Sequence, residues 1–440
     1  MMGTSAINRS RRDFARIFAV GGSAALFAAR PDAWTLTEWK PSPAGRRRED
    51  ASASQAADGR TWRRIREQFV MPPGYICLNA ANLCPSPVPV LDALTKATHL
   101  VDRDPSSHNR RKTRDGREAL RRRLAAYLHV TPEEIVITRN TSESNNMVSS
   151  GLDLRAGDEV LIFSDNHPSN HAAWRQKAQR FGFTVKIVDQ VNPHPGADYY
   201  LDAFRRQMSP ATRLVAFTHV TASVGDLLPA RELCRLARDH GALSLVDGAQ
   251  SFGVLDVDLS DMQPDFYTGS AHKWPCGPKE NGVLYVNARV HDRIRPTIVS
   301  LYGGSVGISR TLEACGQRDE AAMIGFEAAL RFAEEIGRSA IEKRARELTA
   351  TLTKELRAIA GVKVWTHDDP SRSATVVSFQ PAGLDVDKLH TALYERDRIA
   401  CAPRGGTDRP GLRFSPHFYN LETDIERTVA AVKRYVTRGL

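Results

Sequence analysis

A chain of 440 residues with 41% hydrophobic side chains can bury one large core and a smaller one, which excludes disorder outside its N-terminal stretch. The net charge of +10 invites a nucleic-acid partner, yet the surplus is local: residues 1–50 carry nine basic and five acidic groups, and 102–123 carry nine against four. The six cysteines, at 77, 84, 234, 276, 315 and 401, form no CxxC pair, so neither a zinc site nor a disulfide framework is expected and most should be buried, inert thiols.

Residues 10–14 read SRRDF, and an apolar run with the small pair Gly21 and Gly22 follows over 17–29. Basic, then apolar, then small is the layout of a signal peptide. A permanent bilayer span needs about 20 apolar residues, so no membrane span is expected after export. The arginine pair before a bulky apolar residue resembles the twin-arginine signal, which implies a bacterial protein exported in its folded form to the periplasm or beyond. Residues 1–30 are accordingly the expected signal. Residues 31–60, rich in Pro, Ala, Ser and Arg, read as a disordered spacer.

Within 102–123 and just beyond it, Leu120, Leu124, Tyr127 and Leu128 recur at helical spacing, which predicts an amphipathic helix with Arg121, Arg122 and Arg123 on its wet side and no nucleic-acid partner. Short β-branched runs then alternate with longer amphipathic segments: 134–138, 159–163, 184–188, 214–218, 243–246, 266–269 and 283–286. This is the pattern of an α/β domain with a seven-stranded, mostly parallel sheet covered by helices, over 61–300, to whose smaller neighbour the N-terminal segment contributes. A long helical pattern near 320–358 and strands near 375–379 and 411–414 predict a smaller α+β unit over 301–440.

In such sheets ligands sit beyond the carboxyl ends of the strands, and there the chemistry-bearing residues cluster. The run 266–269 leads into SAHKWPCGP, which sets Lys273 beside His272 at that edge. A lysine there can form an imine with an aldehyde cofactor if burial lowers its proton affinity. The run 243–246 leads into DGAQSFG, presenting Asp247 twenty-six residues before the lysine, with Gln250 three residues on. A carboxylate against a pyridine nitrogen keeps that nitrogen protonated, and the ring then accepts electrons from a bond broken at an amino acid's α-carbon. After 134–138, RNTSESNNM opens a helix with Thr141 and Ser142, where backbone N–H groups and hydroxyls suit a phosphate. After 159–163, SDNHPSNHAAW offers His167 to stack on a planar ring. Singly these are an ordinary loop lysine, helix caps and a surface histidine. Four strand ends each presenting what one pyridoxal phosphate (PLP) site needs outweigh that bland reading.

With these residues in view the chain resembles the class V aminotransferase family of fold type I PLP enzymes, including its cysteine desulfurase, kynureninase and isopenicillin N epimerase-like branches, over roughly residues 70–435. The motifs that carry the likeness are Asp247 with Gln250, Ser270 with His272 and Lys273, and Thr141 with Ser142. The resemblance implies a homodimer with the active site at the subunit interface, and an amino acid or peptide as substrate. It also implies that Gln250 reaches the ring hydroxyl, that Arg413 in GLRFSPHFYN pairs with a substrate carboxylate, and that Asn79 and Asn82 in ICLNAANLCPSP line the substrate entrance.

Three departures fall where the branches of the family differ. Ala222 in HVTAS stands where desulfurases carry Asn, leaving Thr221 as the neighbouring hydroxyl for the ring. Gln317 in LEACGQRDEAA stands where the epimerase-like branch uses Thr to hold the phosphate of the neighbouring subunit. Cys401 in IACAPRGG is the one candidate for a desulfurase nucleophile, in a short loop without the usual preceding histidines, and reads as an inert thiol. Amine transfer, epimerisation, elimination and oxidative deamination all stay open, with a cysteine desulfurase or lyase and an inactive exported binding protein as rivals.

Overall fold

A computed structural model describes residues 59–404 and 408–440; the signal and nearly all of the spacer expected from sequence lie outside the described residues. A helix, Gly59–Arg66, precedes a short strand, β1 (Ile76–Cys77), and the chain then builds a sheet of seven strands. These are β2 (Ile135–Thr138), β3 (Glu159–Phe163), β4 (Thr184–Val188), β5 (Thr212–Thr218), β6 (Leu243–Asp247), β7 (Phe266–Ser270) and β8 (Gly282–Val286). Their order across the sheet is β2-β8-β7-β6-β5-β3-β4, and β8 runs antiparallel to both its neighbours while the other pairings are parallel. All seven predicted strands are present, most shifted by a residue or two at one end.

The strands are apolar on both faces because helices cover both. Leu161, Phe163, Val215, Phe217, Tyr267 and Val283 enter one core cluster, whereas Val160, Ile162, Leu214, Ala216, Phe266 and Leu284 enter another. This alternation is the two-residue period of a strand, with each face buried. Each such side chain contributes about 1.5–3 kcal/mol by leaving water.

The smaller unit is a four-stranded antiparallel sheet of β9 (Val362–Val364), β10 (Val377–Pro381), β12 (Ala402–Arg404) and β13 (Gly411–Phe414), in the order β12-β13-β10-β9. A further strand, β11 (Ile399–Ala400), pairs in parallel with β1. Its core joins Leu352, Leu356, Phe379, Leu412 and Val432 to Ile76 and Leu78 from the N-terminal segment. The helical pattern at 320–358 is two helices, Glu320–Ile336 and Arg338–Arg357, separated at Gly337, whose φ of 97° suits a residue without a Cβ. Met323, Phe326 and Leu330 of the first helix pack into the large core with Phe252 and Trp274, so the smaller core draws on the second helix rather than on everything after residue 301. Among the described residues no helix is long and apolar enough to cross a membrane.

The predicted helix with the arginine run is Arg110–Leu128, but Arg121 does not face water. It is fully buried, donates to the Ile135 carbonyl at 2.7 Å and is bidentate to Glu313 at 2.5 and 2.9 Å. Its carboxylate partners are Glu118, one turn earlier on the same helix at 2.9 Å, and Glu313, which lies 192 positions away. Arg122 is exposed as expected, and Arg123 is half-buried against Glu327. The thiols also differ from a simple scatter: Cys84, Cys276 and His417 bring donor atoms within 4.8 Å of one another in the core.

Candidate active site

Strand ends place the site. Asp247 closes β6 and is buried; its Oδ2 accepts from Asn145 Nδ2 at 2.9 Å and its Oδ1 from the Ala249 N–H at 3.0 Å. The next residue must be glycine, because a Cβ on Gly248 would lie 2.1 Å from Cζ of Tyr267.

Lys273 follows β7 on a loop held from three directions. Cys84 N–H donates to the His272 carbonyl at 2.8 Å, His417 Nε2 donates to the Trp274 carbonyl at 2.7 Å, and Trp274 Nε1 donates to Gln250 Oε1 at 2.9 Å. Burial, partly opposed by Asp247 and reinforced by Arg413, pushes the lysine down to about 8. The His272 imidazole is brought down to about 4, by burial first and then by Lys273 and Lys279. Between them these effects leave an amine within reach of neutrality at physiological pH beside an uncharged imidazole.

At the other end, the hydroxyls of Thr141 and Ser270 meet at 2.8 Å, and the Thr141 N–H donates to Ser270 Oγ at 2.9 Å. Thr141 is the first residue of the helix Thr141–Gly151, whose N-terminus is capped by the Asn140 side chain accepting from the Glu143 N–H at 3.0 Å. Ser142 is exposed and lines a different cavity of about 440 Å³ with Arg139 and Ile298. Gln317, also exposed, lines the adjoining cavity of about 270 Å³ beside Arg139 and Glu143, not the one that holds Arg413.

His167 caps the helix Pro168–Phe181 through Nδ1, which accepts the Ser169 N–H at 3.2 Å. Its side chain stands at the mouth of a cavity of about 570 Å³ that also contains Ser223, Arg404 and Arg413. Although the residue is exposed, the surrounding protein withdraws enough water, with Lys273 close by, to hold the imidazole below its usual value; Asp247 and Arg413 bear on it as well. Lysine, aspartate, histidine and arginine from four separate segments therefore converge. Arg413, in β13, is 8% exposed and donates through Nη1 to the Ala222 carbonyl at 2.9 Å, while its Nε has no partner among the described residues. Burial, then repulsion from Arg404, brings it down to about 10.

Two expected contacts are differently directed. The Gln250 amide is occupied at both ends, donating to the Ala81 carbonyl at 3.0 Å and accepting from Trp274, so it braces the lysine loop instead of reaching forward to a ring hydroxyl. Thr221 Oγ1 accepts the Asp226 N–H at 2.9 Å and belongs to the turn after β5. Asn79 is bridged to Ser415, two residues past Arg413, with a buried Oδ1 that has no partner among the described residues; Asn82 is exposed and donates its N–H to the Asn79 carbonyl at 2.9 Å. Sequence reasoning missed Asn145, one helical turn after Thr141, and Arg404. The i, i+4 spacing of Thr141 and Asn145 was the available signal for the first.

The donor set fits pyridoxal phosphate: paired hydroxyls at a helix N-terminus suit its phosphate, a buried carboxylate its ring nitrogen, and an amine of lowered proton affinity its aldehyde. Fold and donor set together define a PLP-dependent enzyme of fold type I. The aminotransferase class-V family matches residues 78–427, and this chain belongs to it. It is 33% identical to isopenicillin N epimerase of Amycolatopsis lactamdurans over 84% of this chain and 98% of that protein. It is 29% identical to a probable cysteine desulfurase of Methanothermobacter thermautotrophicus over 82% and 95%. Among solved structures, cysteine desulfurase from Thermococcus onnurineus NA1 superposes with a TM-score of 0.78 at 25% identity, covering 86% of this chain and 98% of that one. A variant of C-DES with glycine covalently linked to its PLP cofactor also gives 0.78 at 25% identity, covering 84% and 98%.

Proposed function

We propose that this chain is an exported enzyme acting at the α-carbon of an amino acid or of a peptide-linked amino group, by amine transfer, epimerisation or oxidative deamination, in the tailoring of a secondary metabolite such as a siderophore. The observation that carries this reading is the convergence of a lysine lowered to about 8, a buried, oriented Asp247 and a buried Arg413 with free donor capacity. Identity to an isopenicillin N epimerase supports it.

Bound PLP supplies an electron sink for the pair left at the α-carbon. Thr141 and Ser270 hold the phosphate end, with His272 beside them. Asp247 would hold the ring nitrogen, and His167 would stack on the ring. Arg413, steadied by the Ala222 carbonyl, would pair with the substrate carboxylate. Lys273, whose amine would hold the cofactor's aldehyde, would serve as proton acceptor and donor at the α-carbon, a role that its lowered proton affinity suits.

A second copy of the chain completes the site in this proposal. Val299, Leu301 and Tyr302 are 87%, 97% and 68% exposed, beside the cavities lined by Ile298, Ser142 and Gln317, and a partner subunit would cover them. Export rests on the SRRDF leader.

The desulfurase relatives supply a second reading in which Cys401 attacks sulfur. Against it, Cys401 is 5% exposed and burial pushes its thiol up to about 12. Purified protein should be yellow, and borohydride reduction followed by digestion should leave a pyridoxyl adduct on Lys273. Absence of that adduct removes the proposed activity; spectral screening of amino acids and peptides then selects the substrate.

A further inference from the structure

Two guanidiniums stand in the His167 cavity, neither in an ion pair among the described residues. Pairing of β12 with β13 sets Ala402 opposite Arg413 and Arg404 opposite Gly411. Arg404 and Arg413 are therefore diagonal neighbours on one face of the sheet, close enough for long side chains to act side by side. Both line the cavity of about 570 Å³, and in both Nε is buried without a partner among the described residues.

Burying a guanidinium with unmet donors is unfavourable, and a site that retains two of them is built for anions that arrive. Burial lowers the proton affinity of both, with Asp165 opposing the effect at Arg404. Arg175, exposed at the cavity rim, adds a third cation. Asp165 is the carboxylate lining this cavity; the Ser223 hydroxyl donates to it, and burial favours its protonated form. It therefore leaves the cations under-compensated.

A substrate α-carboxylate on Arg413 neutralises one buried cation and leaves Arg404. We infer that the substrate carries a second carboxylate, on its side chain or farther along a peptide, which Arg404 receives with Arg175 at the rim. The inference rests on the amino-acid reading of the site. A planar guanidinium fork matches a carboxylate in bidentate fashion, and the cavity volume admits a chain between the two anions.

Calorimetry on the holoenzyme with butyrate, glutarate and adipate tests this, because none of the three has an amine to react with the cofactor. The two dicarboxylates should bind about tenfold or more tightly than butyrate, as a charge-assisted hydrogen bond implies. Arg404→Gln should bring that ratio close to one, and Arg404→Lys should keep part of it. A ratio near one in the parent protein, or an undiminished ratio in Arg404→Gln, overturns the inference. Titration of the visible band with 2-aminoadipate and with γ-glutamylglycine then tells whether a side chain or a peptide carries the second carboxylate; preference for either over alanine supports it, and preference for alanine overturns it. Failure of the enzyme reading registers separately, as a missing adduct on Lys273.

Discussion

Asn145 donates to Asp247 across 2.9 Å and is itself oriented by Thr268, whose hydroxyl donates to the Asn145 side-chain carbonyl at 3.3 Å. The carboxylate is thus held by a helix on one side and a neighbouring strand on the other. Loss of that orientation misplaces a reacting group without removing it. Asn145→Ala should lower kcat by about tenfold to a hundredfold while the protein still binds PLP, with KM changed much less. Steady-state kinetics with the visible spectrum recorded in parallel check this; unchanged kcat would show that Asp247 needs no second support.

For Lys273, brought down to about 8 from 10.5, the neutral fraction rises from roughly one tenth at pH 7 to roughly nine tenths at pH 9. Cofactor capture by the apoprotein should accelerate about tenfold over that range and level off above it. The linkage has a definite sign: between about 8 and 10.5 the unfolded chain holds a proton that the folded one has lost, so this residue's contribution makes the apoprotein more stable as pH rises. Lys273→Met should abolish both effects, as followed by stopped-flow absorbance and by urea unfolding across pH.

The Arg121–Glu313 pair is fully buried on both sides, and Glu313 also accepts the Ile137 N–H at 2.5 Å. Removing Arg121 strands the Glu313 charge in the core, and removing Glu313 leaves the buried guanidinium with Glu118 alone. Arg121→Met and Glu313→Gln should each cost about 3–5 kcal/mol, whereas the double variant should recover part of that loss. Denaturant midpoints of the four proteins provide the cycle, and additive losses would mean that the two charges act independently.

Cys401 lies between β11 and β12, its carbonyl accepting from His390 Nε2 at 3.3 Å. With its thiol near 12, it should react slowly with thiol reagents at pH 8 in the folded protein. Cys401→Ser should keep turnover within about twofold. Loss of sulfide release from cysteine in that variant would instead support the desulfurase reading.

The sheet was legible because its strands are short, β-branched and buried on both faces, a signal that local composition carries. Lys273, Asp247 and Thr141 were legible for the related reason that each sits just beyond such a run. What sequence concealed were choices settled by distant partners. Arg121 looked like its exposed neighbour Arg122 until Glu313 was in place. Gln250 and Thr221 carry the right groups, but Trp274, Ala81 and Asp226 direct them elsewhere. Arg404 lay in a stretch of three residues too short for a periodicity, and its meaning depends on the register of β12 with β13.

The parallel pairing of β1 with β11 ties Ile76 to Ile399. A chain emerging from the ribosome cannot fasten this clasp until nearly its whole length has been made, so the smaller core, which needs Ile76 and Leu78, closes last. Closure of the smaller core is accordingly an event of a nearly complete polypeptide, whereas the strands of the large sheet are all made by Val286.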